Sequence, residues 1–444
     1  MRPMGTDRPG PAGTRGRTAP LPVAVVGNGG AAAHAVMALR DSGYSGRIDL
    51  FGDSGEPVCN PMLLPYYIAG EIDRSACHPF GVGDSFYQRY DVRHHLSEPV
   101  VALDAGAHTL DTAAGRRLEW DRCLVATGSS AVRPTLEGVE DDRVHTLRSL
   151  VDAERLRTAL RAQPRRAVVV GASMVGIKVV EVLCRADVDT LLCDAEPQVF
   201  PLAASGHCAG VVEERLAARG VALRLGERLS GIESGRTGLR VYLDAGDPED
   251  ADLVVLALGV RPNLDLIDRS QVAVDAGLLV DEHLQTSVAG LYAAGDVAQG
   301  INLLTGRREL IGLWASACTQ GRCAGRNLAG HADEYVGGVP SNVVHFFDSL
   351  FVAIGDARAT RAGVEIVDPQ AQTYCRLAEE GGRLVGVNLL DCCRPAGMLR
   401  QAIVRGLSPA ASARLDWAEF CRRLYAVGDE GSILWSRLGK ELDT

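Results

Sequence analysis

The strongest constraint on what this chain can fold into is a pattern that occurs twice. Pro22-Val-Ala-Val-Val-Gly-Asn-Gly-Gly-Ala-Ala-Ala33 is a short apolar run, a turn built on Gly27 and Gly29 with Ala32 at its end, and an Ala, Val, Met and Leu stretch to about Leu39. Arg166-Ala-Val-Val-Val-Gly-Ala-Ser-Met-Val-Gly-Ile-Lys-Val-Val-Glu181 repeats the plan, with Gly171, Ser173 and Gly176 in the turn. Short β-branched runs suit buried parallel strands, and the apolar stretches behind the turns suit helices. Strand, tight small-residue turn and helix is the geometry that aims a helix N-terminus at a pyrophosphate. The first small residue makes the turn. The second, Gly29 with Gly30 beside it or Ser173, lets a ligand approach the backbone. The third, Ala32 or Gly176, keeps the helix close to the sheet. One such fingerprint is weak. Two in one chain point to an α/β fold with two Rossmann-like dinucleotide-binding units.

The surrounding segments fill out each unit. A second strand at Ile48–Phe51 leads to Asp53, which is either a ribose-binding acid or a residue of the turn Gly52–Gly55. Pro57–Gly70 holds three prolines and reads as a loop running into a short helix. Residues 91–121 alternate as β segments, and Cys123-Leu-Val-Ala-Thr-Gly128 closes the unit as a strand ending on glycine. A helix over Glu154–Leu160 leads to the second unit: helix 175–186, strand 188–193 ending at Asp194, helix 207–219, β segments at 221–225 and 239–243, and a closing strand to Gly259. Thr286–Val297 gives a further strand ending in Gly295-Asp296, followed by Trp314 and a small-residue helix to about Leu328. Residues 330–340 read as a linker. Residues 341–444 read as a separate unit, with β segments near 343–354, 365–377 and 382–390 and helices near 395–405 and 416–425.

A chain of 444 residues holds two to four domains. A net charge of −10 argues against a nucleic-acid footprint. No run is long and apolar enough to span a membrane. Residues 1–20 lack an apolar signal core and read as a disordered tail, so the expected location is the cytoplasm. The twelve cysteines include no C-x-x-C pair and read as reduced, mostly buried thiols. Of 46 basic residues only two are lysine, and one of them, Lys178, sits in the second fingerprint.

The paired fingerprints, Ala126-Thr-Gly128, Ala257-Leu-Gly259 and Tyr292-Ala-Ala-Gly-Asp296 together resemble the two-dinucleotide-binding flavoproteins of the pyridine nucleotide–disulfide oxidoreductase superfamily. The resemblance covers about residues 21–335 by motif and 341–444 by position. It implies an FAD unit at 21–150 and 283–338, an NAD(H) unit inserted at 151–282, and a C-terminal α+β interface domain that makes a homodimer. It places Gly27 and Gly29 on the FAD pyrophosphate, Asp53 on its ribose, Ala126, Thr127 and Gly128 near the flavin, Asp296 on the ribityl or pyrophosphate side, and Trp314 near the isoalloxazine. Gly171, Ser173 and Gly176 fall to the NAD pyrophosphate. Asp194 falls to its ribose, where an acid accepts from a 2′-hydroxyl and repels a 2′-phosphate, so NADH is expected over NADPH.

The departures carry as much information. Relatives with a redox disulfide carry C-x-x-x-x-C, but the residue five beyond Cys59 is Leu64. Single-cysteine relatives have the thiol where this chain has Met62, and His345 lacks the acid five residues on that the C-terminal acid/base pair requires. Thiol chemistry is therefore not expected. Ferredoxin-reductase-like relatives carry Arg-Pro-x-Leu-Ser-Lys where this chain has Asn60-Pro-Met-Leu-Leu-Pro65, and a glutamate where it has Lys178. This exchange suggests that Lys178 supplies a positive charge near flavin N5. The branch resembled implies hydride transfer from NADH to the flavin and electron transfer to a ferredoxin- or rubredoxin-like protein. A small-molecule acceptor (O₂ or a quinone) or an NADH-sensing role with little turnover are the other readings.

Overall fold

The computed structural model describes residues 22–358, 363–368 and 372–406. Residues 1–20 and the helix expected near 416–425 lie outside the described residues. Val23–Val26 forms the centre of a five-stranded parallel sheet. It lies between Ile48–Phe51 and Arg122–Val125, with Arg93–His95 and Leu291–Ala293 at the edges. Arg166–Val170 holds the same place in a second parallel sheet, between Asp189–Asp194 and Leu253–Leu256, with Ala222–Leu225 and Val144–Thr146 outside. Leu291–Ala293 returns to the first sheet after the second is complete, so the second unit is an insertion in the first. Val23–Val26 and Ala167–Val170 are apolar on both faces and buried, as a parallel sheet covered by helices requires.

The two units match at the level of single hydrogen bonds. Gly27 N donates to Phe51 O at 2.8 Å and Gly171 N to Cys193 O at 2.7 Å. Ala126 N donates to Val26 O, and Ala257 N to Val170 O, both at 2.7 Å. Gly27 (φ +121°) and Gly171 (φ +110°) both adopt a backbone conformation that favours glycine. A Cβ would lie 2.1 Å from Ala126 O at the first and 2.4 Å from Ala257 O at the second. In both units the first glycine is pressed against the strand that closes the unit.

The helix Gly30–Asp41 packs on the helix Trp314–Leu328. The small residues expected there have a steric cause: a Cβ at Gly321 or Gly325 would meet the Ala31 or Ala35 carbonyl oxygen at 2.2 or 2.3 Å. An antiparallel ribbon, Ser129–Ala131 with Val260–Pro262, joins the two units. The strand Leu229–Ser234, which has no counterpart in the sequence reading, pairs with Leu239–Leu243.

Five strands form an antiparallel sheet in the order Ser341–Phe346, Ser349–Gly355, Arg383–Leu390, Thr373–Glu380 and Gly363–Asp368, with the helix Ala396–Val404 beside it. Phe351 stacks on Phe200 of the second unit at 4.7 Å, and Asn388 bonds the backbone of Ala203 and Ser205. One apolar core is thus shared by the second unit, this sheet, and Leu64, Tyr67 and Ile68 from the loop of the first unit. Among the described residues no helix is long and apolar enough to cross a membrane.

Candidate functional site

A cleft of ≈ 780 Å³ runs along the C-terminal edge of the first sheet. Its floor is the first fingerprint. Gly29 is the N-cap of the helix Gly30–Asp41 and makes no side-chain cap, so the first-turn N–H groups are left for a ligand. A Cβ at Gly29 would meet nothing within 4 Å, which is the open approach that a pyrophosphate needs. Asp53 is exposed and lines one end with Glu56, while Ala126, Thr127 and Gly128 line a wall. Asn263 locks that wall. Its Nδ2 donates to Thr127 O at 2.9 Å, and Thr127 Oγ1 donates to Asn263 O at 2.9 Å.

Gly295, Asp296 and Trp314 line the cleft as well. Gly30 has a specific reason to be glycine: its Cβ would sit 3.0 Å from the Trp314 ring, which lies against the start of the helix. Ala32 does not line the cleft and is fully buried, as suits the small residue that keeps the helix close to the sheet.

Arg148 was not singled out from the sequence. It lines the cleft, and its Nη2 donates to Asp296 Oδ2 at 2.7 Å and to Ser129 Oγ at 3.0 Å. Ser129 Oγ donates to the same carboxylate oxygen at 2.8 Å. Asp296 thus stands in the cleft with its charge compensated and its second oxygen unclaimed by these two donors. Arg148 directly precedes Ser149, whose side chain and that of Asp152 form a reciprocal cap on the helix Leu150–Arg161. That Ser-x-x-Asp signal is readable in the sequence, but nothing local links Arg148 to Asp296.

The second fingerprint builds a separate site on the second sheet. Ser173 is the N-cap of the helix Met174–Arg185, in the place Gly29 takes in the first unit, and its Oγ accepts from Gly176 N at 3.4 Å. A Cβ at Gly176 would lie 1.8 Å from Gly171 O, so the turn closes only on glycine. Asp194 ends its strand and reaches back to this turn: Oδ2 accepts from Ala172 N at 2.6 Å and Oδ1 from Glu196 N at 2.8 Å. Arg224 lies on the neighbouring strand, but Glu227 and Glu249 take its guanidinium at 2.5–2.9 Å. Gly259 (φ +95°) accepts from Val132 N at the joining ribbon, as Gly128 (φ +66°) accepts from Asn263 N.

Lys178 is not among the residues that line the cleft. It is 5% exposed, its Nζ lies 2.5 Å from Glu181 Oε2, and it sits 4.2 Å from the centre of the Tyr66 ring. A buried ammonium needs a compensating partner, and Glu181 is one helical turn away.

Cys59 reaches the cleft as a free thiol, with free Cys77 nearby. Burial pushes the Cys59 thiol up to about 12, and the neighbouring Cys77 and Glu56 act in the same direction. In the unfolded chain a thiol ionises near about 8.5. The contribution of Cys59 to stability is therefore intact below that pH and is lost as pH rises from there through about 12. Alkylation of Cys59 by iodoacetamide at neutral pH should accordingly be far slower in the folded than in the unfolded chain. A folded-state rate equal to the unfolded one would mean a reactive thiolate in the cleft.

The comparisons agree with this geometry. The model of the pyridine nucleotide-disulphide oxidoreductase family matches residues 21–321. The NADH-dependent phenylglyoxylate dehydrogenase subunit epsilon of Aromatoleum evansii is 29% identical, over 91% of this chain and 96% of that one. The rubredoxin-NAD(+) reductase of Pseudomonas putida is 30% identical over 70% of this chain and 80% of its own length. The fold matches that in the covalent putidaredoxin reductase–putidaredoxin complex with a TM-score of 0.85 at 23% identity, covering 93% of this chain and 100% of that one. With two glycine-turn sites, one of them opening on a cleft of ≈ 780 Å³, this chain belongs to the pyridine nucleotide-disulphide oxidoreductase family.

Proposed function

We propose that the chain is an NADH:acceptor oxidoreductase that holds FAD in the first cleft and NADH at the second fingerprint, and hands electrons to a redox protein. The observation that carries this reading is the pairing of two matched glycine turns with a cleft of ≈ 780 Å³ in which burial favours the neutral form of the lining cysteine, Cys59. A flavin bound there would accept a hydride from the nicotinamide and release electrons onward. The protein's own part is positional. Gly29 and the first turn of its helix receive the pyrophosphate, Arg148 and Ser129 fix Asp296, Trp314 walls the ring end, and Asn263 fixes the Thr127 wall.

NADH is favoured over NADPH because the strand after the second fingerprint ends in Asp194 with Glu196 behind it, and Arg224 on the neighbouring strand is already paired. A protein acceptor is favoured because relatives matched over most of this chain include rubredoxin-NAD(+) reductases and a nitrate reductase electron transfer subunit. The acceptor reading extends to a ferredoxin-like partner in the cytoplasm, with the C-terminal unit that starts at residue 341 as a homodimer interface. Steady-state NADH oxidation tests it. Turnover should rise at least about tenfold when an oxidised iron–sulfur protein is added to the FAD-loaded enzyme in air. Equal turnover with O₂ or a quinone alone would point to the small-molecule reading. A long-lived reduced flavin with every acceptor would point to an NADH sensor.

A further inference from the structure

The segment from Cys59 to Glu71 touches both nucleotide sites. At one end Cys59, Pro61 and Met62 line the flavin cleft. At the other, Leu64, Tyr67 and Ile68 are buried in the core of the second unit together with Ile177 and Val180 of the NADH-site helix. The short helix Leu64–Ile68 is held on both flanks. Tyr67 donates to Glu154 Oε1 at 2.9 Å, with the Arg157 guanidinium 4.5 Å from its ring centre. Tyr66 faces the Lys178 ammonium at 4.2 Å.

Behind that cation runs a ladder of alternating charge. Lys178 pairs with Glu181 at 2.5 Å, Glu181 with Arg185 at 2.6 Å, and Arg185 with Glu71 at 2.5 Å. Glu71 belongs to the same cleft-wall segment, so the ladder leaves the segment at Tyr66 and returns to it at Glu71. Lys178 lies two residues beyond Gly176, the last small residue of the NADH turn. A buried ion pair adds little net stability over apolar residues of the same size. Its worth here is to fix one arrangement of two elements that belong to different sites.

We propose that Lys178 is a positioning residue which, acting through Tyr66, holds the 59–71 segment in register with the NADH-site helix and so sets the nicotinamide against the flavin. The inference rests on the assignment of FAD to the first cleft and NADH to the second fingerprint. Both the ammonium and the ring are needed, since the attraction is between a cation and a π face. An arginine at 178 can keep both the charge and the stacking.

The test uses the FAD-loaded full chain with Lys178→Met, Tyr66→Leu, the double variant and Lys178→Arg. Rapid mixing with NADH gives the limiting rate of flavin reduction and the NADH affinity, and visible circular dichroism reports the flavin's surroundings without turnover. Each single variant should slow the limiting rate about tenfold, equivalent to about 1.4 kcal/mol at the transition state. NADH affinity should stay within about threefold, and the dichroism should change alike in both single variants. The double variant should be no slower than either single one, because both remove the same contact, and Lys178→Arg should restore rate and dichroism. Additive losses, a neutral Tyr66→Leu, or a loss confined to NADH affinity would overturn the proposal. If Lys178→Met does not fold, Tyr66→Leu tests the same contact from a half-buried position. A wild-type flavin that NADH fails to reduce would refute the site assignment instead, and the dichroism of the variants would still decide whether Lys178 acts through Tyr66.

Discussion

Gly171→Ala should nearly abolish reduction of the flavin by NADH while leaving FAD bound. The added Cβ would lie 2.4 Å from Ala257 O on a backbone at φ +110°, so the turn cannot keep its place. Overlap of that size has to be relieved by roughly an ångström of movement, and a misplacement of about 1 Å can cost about hundredfold in rate. The first cleft does not include this turn, so FAD absorbance and reduction by a chemical reductant should match the wild type. Gly27→Ala should do the converse. Its Cβ would lie 2.1 Å from Ala126 O at φ +121°, and the chain should purify without flavin. Loss of FAD in Gly171→Ala, with Gly27→Ala retaining it, would reverse the assignment of the two sites.

Arg148→Met should weaken FAD binding by roughly thirtyfold, about 2 kcal/mol, measured by flavin fluorescence on titration. The side chain is 29% exposed and that of Asp296 13%, so the pair is largely desolvated and its removal is not the small loss of a surface ion pair. Methionine keeps the bulk of the side chain but leaves Asp296 with only the Ser129 hydroxyl of its two donors. That carboxylate would then repel the phosphates of the cofactor. Arg148→Lys should recover part of the loss, since the charge returns without the two-pronged hold on Ser129 and Asp296. An unchanged FAD affinity in Arg148→Met would remove Arg148 from the site.

What the chain shows before folding depends on the range over which each signal acts. Ile48–Phe51 and Trp314–Leu328 were readable to their ends, because burial periodicity and small-residue spacing are local. The start of the helix at Leu150 was read four residues late, although Ser149 and Asp152 spell its cap. The Arg148–Asp296 pair spans 148 positions and the Gly30–Trp314 contact 284, and neither leaves a trace in local pattern. The Lys178–Glu181 pair is the local case: the two residues are three apart, the spacing at which helical side chains meet. Leu229–Ser234 went unread because it is a half-exposed strand with a glycine inside it.

The most direct test of the account is an anaerobic titration of the FAD-loaded enzyme with NADH, following the visible absorbance of the flavin. Hydride transfer delivers two electrons, and a flavin without a partner disulfide takes up two. One equivalent of NADH per FAD should therefore bleach the flavin to its endpoint, with Cys59 and Cys77 as free thiols before and after. A requirement for two equivalents, with new thiols appearing as the second is consumed, would contradict it by showing a redox disulfide in the path.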